Sequence, residues 1–288
     1  MFKGLINIGK TPAHGKVRLC MVTLLCTLGG ASNASSQGEG ARAAAMGCSM
    51  TAVRQNPWAP FVNPAQTGEA QRWVAFTYAP APYGLSELKS GAAVAGCEIG
   101  GLSLSFHARA EGFDLYHETR FGLGCSVPVG EDLRVGMNAA WESIGIKRYG
   151  ETGVPCFDAG VVLRLTEALS AGASAHCINQ PAIGTVVRER RPMRMAVGLA
   201  WMPDGGLMVC VNASREQRYD WVAGLGIEYR LFDVLAFRAG ASTDPARISA
   251  GIGIAIHGIS VHYAYLDHAD LGGTHTLSFE TSLPQLGL

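Results

Sequence analysis

The sequence is poor in charge: Asp, Glu, Lys and Arg make up 16% of its 288 residues, against about 25% in ordinary soluble domains. The charges it has are balanced, 23 basic against 23 acidic. That balance lacks the basic excess that marks a nucleic-acid binder, so no nucleic-acid partner is expected. Low charge with 48% hydrophobic residues also excludes a disordered chain. The 37 glycines do not recur at every third position, which excludes a collagen-like chain. Long apolar runs are missing too, since the run Leu19–Leu28 falls well short of the roughly 20 residues a spanning helix needs. Signatures of chemistry are equally scarce, with no GxSxG elbow, HExxH or CxxC. No enzyme, cofactor or metal site is therefore expected; Ser105 and His107, two apart on one strand face, are the nearest approach to a Ser–His couple.

The beginning of the chain reads as a targeting segment. Lys3, Lys10, His14, Lys16 and Arg18 precede the apolar run Leu19–Leu28, and Ser32-Asn33-Ala34 follows as a small-x-Ala site. Residues 1–34 are expected to be a signal peptide cut after Ala34, with a short anchor helix as the alternative. Export without a helical span leaves a periplasmic protein, a secreted protein or an outer-membrane barrel.

Beyond Gln71 the chain alternates with period two. Leu102, Leu104, Phe106, Ala108 and Ala110 share one face of a strand, and Ser103, Ser105, His107 and Arg109 share the other. The pattern recurs near 72–79, 90–98, 102–110, 115–127, 133–144, 157–165, 169–177, 193–202, 207–214, 220–231, 235–242, 247–256, 259–266 and 274–282. Many of these segments match the 9–11 residues of a tilted membrane strand rather than the 5–6 of a globular one. Trp141, Trp201, Trp221, Tyr229, Tyr263 and Tyr265 end apolar faces, as interfacial aromatic girdles do. A soluble sandwich also alternates, but its polar face carries far more charge than the Gly, Ser and Ala found here.

Alternate connections are short (99–101, 128–132, 166–168, 203–206, 232–234, 257–258), while several of the others are longer (80–89, 145–156, 178–192, 267–273). Bacterial barrels have short periplasmic turns and longer outer loops. The expected fold is all-β: an antiparallel transmembrane β-barrel of about 14 strands over 71–288, in the bacterial outer membrane. Residues 35–70 lack a long alternating run and contain Pro57, Pro60 and Pro64. They fit either a short N-terminal plug, opening with a helix near 40–47, or a loose periplasmic segment.

The stretch GARAAAMGCSMTAVRQNPWAPFVNPAQTG (40–68) resembles the opening of outer-membrane proteins of the FadL-type superfamily, in particular the PorV/PorQ-like group. Arg42, Met46, Gly47, Asn63, Pro64 and Ala65 carry the match. GIEYRL (226–231), LAFRAG (235–240), ARISAGIGI (246–254) and VHYAYLDHADLGGTHTLSF (261–279) follow the PorV-like order. Cys48 after the motif glycine, and a last strand ending at Ser282-Leu283 rather than on an aromatic, depart from it. The resemblance implies a fourteen-stranded barrel with a plug whose motif residues are Arg42, Gly47, Asn63 and Pro64. PorV-type members serve type IX secretion, and FadL-type members pass hydrophobic compounds inward. The chain accordingly reads as a non-enzymatic component or scaffold of type IX-like secretion, with secretion-system proteins or exported cargo as partners. The alternative is a FadL-type passive channel for small hydrophobic molecules.

Parity places Arg109, Glu118, Arg134, Glu142, Arg194, Glu228 and Arg230 in the lumen, with Arg120, Asp158, Arg164, His107, His176 and His262. A charge facing lipid costs about 2–4 kcal/mol at mid-bilayer, so these must turn inward. They read as an ion-pair network or as a selective polar constriction. The surroundings of such a barrel are outer-membrane lipid and lipopolysaccharide. Arg188-Glu189-Arg190-Arg191, in an expected outer loop, reads as solvated or as a contact to that lipopolysaccharide. Six cysteines follow the leader: Cys48, Cys97, Cys125, Cys156, Cys177 and Cys210. They read mainly as small apolar residues, with Cys156, near an expected outer loop, the first candidate for any bridge.

Overall fold

A computed structural model describes residues 39–67, 72–184, 188–203 and 205–282. The expected signal peptide and its cleavage site lie outside these residues. Sixteen strands are present: β1 (Arg72–Ala79), β2 (Ser90–Ile99), β3 (Leu102–Phe113), β4 (Tyr116–Val129), β5 (Leu133–Ile146), β6 (Gly150–Arg164), β7 (Leu169–His176), β8 (Ala182–Ile183), β9 (Glu189–Arg190), β10 (Arg194–Trp201), β11 (Leu207–Glu216), β12 (Val222–Leu231), β13 (Leu235–Ser242), β14 (Arg247–Ile256), β15 (Ile259–His268) and β16 (Gly272–Ser282). Fourteen of them close into an antiparallel barrel, in which β7 pairs with β10 and β16 with β1. β8 and β9 form a separate ribbon inside the β7–β10 connection. Closure satisfies every strand edge, the condition lipid sets for a spanning sheet.

Alternation sorts the side chains as the period predicts. On β3, Ser103, Ser105 and His107 are buried while Leu104 and Phe106 are 40% and 50% exposed. Outward Leu123, Met137, Val197, Leu225, Ile252 and Leu277 continue an apolar belt around the wall. Trp141 and Trp221 stand toward one rim, Trp201 and Tyr229 toward the other, all outward. None of the described helices is long and apolar enough to cross a membrane, and the strands take that role.

The outer connections differ from expectation. β5 and β6 continue to Ile146 and from Gly150, so 145–156 is strand joined by a tight turn rather than a loop. β15 and β16 likewise leave only 269–271 between them. A strand that extends past the lipid need not alternate although its hydrogen bonding goes on; Thr119, Ser143 and Glu151 form a polar cluster on this part of β4–β6. Cys156 therefore lies within β6, not beside a loop, and it is bridged to Cys177. Long outer segments remain at 80–89 and 177–193.

Residues 39–67 lie inside the barrel, as helix α1 (Gly40–Ala45), helix α2 (Ala59–Val62) and a 3-10 turn, Pro64–Gln66. Both helices are shorter than an isolated helix needs for stability, so the surrounding wall holds them. Inward-facing glycines make room for the segment's backbone. A Cβ at Gly240 would overlap Met46 and Gly47, one at Gly136 would overlap Pro64, and one at Gly172 would overlap Thr51. This close approach explains why the lumenal face is so rich in glycine.

Candidate functional site

The lumen is organised by the inserted segment, whose motif residues each have a distinct task. Arg42, on α1, donates to both carboxylate oxygens of Glu228 at 2.8 and 2.7 Å. Gly47 adopts φ +59 just after α1, and a Cβ there would stand 2.6 Å from the Ala241 carbonyl. Glycine alone serves both demands. Asn63 caps the 3-10 turn through the Ala65 amide and donates to the carbonyls of Thr51 (2.9 Å) and Val161 (3.0 Å). Pro64 opens that turn over Gly136.

Around Glu228, toward the side on which β1 begins, a charge network joins plug to wall. Arg238 donates to Glu228 at 2.6 Å and Arg230 at 3.2 Å. His262 stands 3.2 Å from Arg238 and 3.5 Å from Glu280. Trp58 Nε1 donates to Glu280 at 2.7 Å, a further attachment of the plug to this network. The sequence reading placed Glu228, Arg230 and His262 in the lumen but omitted Arg238 and Glu280. Parity would have found Arg238, which alternates with Phe237 and Ala239. Arg230 is more exposed than its neighbours because it lies at the mouth, its side chain 44% open.

A second network occupies the opposite half of the lumen, on β3–β6. Arg120 bridges Glu142 and Asp158. Glu118 accepts from Tyr116 and, at 2.8 Å, from Arg191. Arg191 also stands 3.1 Å from Glu142, which corrects the reading of the 188–191 stretch as wholly solvated or lipid-facing. Its fourth residue turns into the barrel because two carboxylates wait there. Burial opposes charge on this guanidinium, but Glu118 and Glu142 outweigh it and raise its pKa. Within the same stretch Glu189 pairs with Arg218 instead. Arg109 lies 3.8 Å from Glu111. Arg134 stands apart from both networks and donates to Ser103 and Ser126. Arg194 is half-exposed between plug and rim, 3.4 Å from the Phe61 carbonyl. Arg164 leaves the lumen altogether and pairs with Asp132 at the turns.

Between the two networks lies apolar material. Met46, Met50, Val53, Trp58, Phe61 and Val62 of the plug pack on Ala75, Ala92 and Val94 from one wall and Ala200, Met208 and Cys210 from another. His107, wholly buried, meets the Phe61 ring edge-on at 5.2 Å. Neither of its ring nitrogens has a hydrogen-bond partner among the described residues, so Ser105 and His107 do not form a couple. Glu142, Cys156 and Cys177 cluster within 4.8 Å, but the sulfurs are bonded to each other and Arg120 and Arg191 hold the carboxylate.

No family model and no curated protein matches the sequence. Solved structures do match in fold. The "CymD monoaromatic hydrocarbon channel" superposes with TM-score 0.68 at 13% identity, over 87% of this chain and 99% of that one. The P. putida toluene transporter TodX gives 0.66 at 12% identity, over 87% and 100%. A Pseudomonas aeruginosa FadL homologue gives 0.63 at 12% identity, over 84% and 98%. The chain is an outer-membrane β-barrel of FadL-like fold. In this barrel the apolar belt faces lipid and the two charge networks face the plug. The PorV/PorQ subgroup finds no counterpart among these neighbours.

Proposed function

We propose that the barrel is a passive channel for small hydrophobic compounds. One observation carries this reading above the others: between the two charge networks the plug packs on the wall through an apolar cluster rich in methionine, whereas a water-filled porin has a polar lumen. Met46, Met50, Met202 and Met208 are unbranched and adaptable, suited to part and reclose around varied apolar shapes. Phe61 beside the unpartnered His107 adds an aromatic face with one polar contact, the usual make-up of a small-molecule site. The fold neighbours, a monoaromatic hydrocarbon channel and a toluene transporter, support the same class of compound.

The secretion scaffold that the PorV-like motifs suggested has no feature of the interior in its favour. Reconstitution separates the two readings. Vesicles carrying the folded protein are expected to take up a labelled monoaromatic hydrocarbon faster than protein-free vesicles. Equal rates with folded protein would sink the channel reading.

A further inference from the structure

His107 is wholly buried on β3, and neither ring nitrogen has a partner among the described residues. Directly across on β4 stands Gly122, which offers it no side chain. A polar group buried without a partner costs stability, and an apolar residue of similar size would avoid that cost, so packing alone does not account for a histidine here. Asn138, on β5, repeats the pattern. Its Nδ2 donates to the Pro60 carbonyl at 2.8 Å and to Asp158 at 3.1 Å, while its Oδ1 has no partner among the described residues. Asn138 Oδ1 and Ser105 Oγ converge over Gly124, 2.4 and 2.6 Å from where a Cβ would stand. Hydrogen-bonding atoms of β3 and β5 are thus left open beside Pro60–Phe61 of the plug. What fills the space against His107 is an aromatic ring, that of Phe61, edge-on at 5.2 Å. The same ring belongs to the apolar cluster of Met46, Met50 and Trp58. The backbone around it is held separately: the carbonyls of Pro60, Phe61 and Val62 accept from Asn138, Arg194 and Ser174.

We propose that the Phe61 ring occupies the seat of a hydroxylated monoaromatic guest, whose ring replaces it against the apolar cluster and whose hydroxyl pairs with a ring nitrogen of His107. The inference rests on the channel reading and names the compounds that this site prefers. A hydroxyl both donates and accepts, so it serves either nitrogen of a neutral imidazole. A bare hydrocarbon in the same seat leaves both nitrogens unpaired, and a charged guest loses its hydration to apolar surroundings. One net hydrogen bond corresponds to a preference of about tenfold for the hydroxylated compound. The exchange asks only the Phe61 side chain to move, because the plug backbone keeps its bonds to the wall.

The test measures binding rather than passage, with the folded full chain in lipid nanodiscs and protein-free nanodiscs subtracted. Equilibrium dialysis of radiolabelled phenol and toluene reads affinity, and nitrogen NMR of histidine-labelled protein reads the imidazole, its signals assigned by their loss in His107→Leu. Phenol is expected to bind saturably, about tenfold tighter than toluene, and to shift the His107 nitrogen signals where toluene does not. His107→Leu is expected to keep toluene binding, lose the preference and unfold at higher urea than wild type. Phe61→Ala, which removes the resident ring, is expected to bind phenol at least tenfold tighter. The wild-type comparison needs no variant to fold. Equal wild-type affinities for the two compounds, or a preference that survives in His107→Leu, would overturn the hydroxyl seat while toluene binding leaves the channel reading standing. No saturable binding of either compound by wild type would remove both.

Discussion

Replacing Glu228 with Gln should destabilise the protein more than replacing Arg42 with Gln, although the two are bonded to each other. Glu228 is 2% exposed and is the one carboxylate shared by Arg42, Arg238 and Arg230. Its neutralisation leaves the Arg42 and Arg238 guanidiniums, 15% and 3% exposed, without the carboxylate they directly bond. Breaking a buried pair from the side that strands charge costs about 3–5 kcal/mol. Arg42→Gln removes one bidentate contact but leaves Glu228 with Arg238 and Arg230, so the loss is about 1.5–3 kcal/mol, the range for a hydrogen bond to a charged group. Arg230, at the open mouth, contributes little to either figure. Equilibrium unfolding in urea from detergent micelles, read by tryptophan fluorescence, measures both variants. The double variant should cost less than the sum of the singles, with a coupling of about 0.5–3 kcal/mol. Equal costs for the two single variants, or additive behaviour, would refute the shared-carboxylate account of how the plug is held.

Three further outcomes follow from the same geometry. Trp58→Phe keeps the packing but loses the 2.7 Å bond to Glu280, so stability should drop by about 1.5–3 kcal/mol in the same unfolding assay. Gly240→Val cannot coexist with Met46 and Gly47 at their present distance, so limited proteolysis should cut the 39–67 segment while the barrel keeps its heat-modifiable gel mobility. Met137→Arg puts a charge on the lipid face, where Met137 is 61% exposed; a cost of about 2–4 kcal/mol should appear as lower recovery of folded barrel.

The barrel was legible because lipid imposes a hard rule. A strand that meets hydrocarbon on one face must alternate, and Leu133, Val135, Met137, Ala139 and Trp141 do so without exception. The rule lapses where a strand extends past the lipid, so the upper reaches of β5 and β6 resembled a loop. The candidate site was less legible. Parity says that Glu228 faces inward, but it does not say that Arg42, 186 residues away, will be its partner. Arg191 carried no signal at all, because a loop has no period and only the fold brings it to Glu118. Lumenal glycines looked like mere smallness; their meaning, a seat for another stretch of backbone, appears only once the plug is in place.

The central claim concerns passage, and the most direct measurement is uptake of labelled toluene by cells whose outer membrane lacks other hydrocarbon channels and carries this barrel in folded form. The account predicts uptake well above that of the same cells without the barrel. It also predicts that a variant with its interior filled, such as Ala92→Trp against the Met46–Phe61 cluster, returns uptake to background while remaining folded. Uptake equal with and without the folded barrel would contradict it.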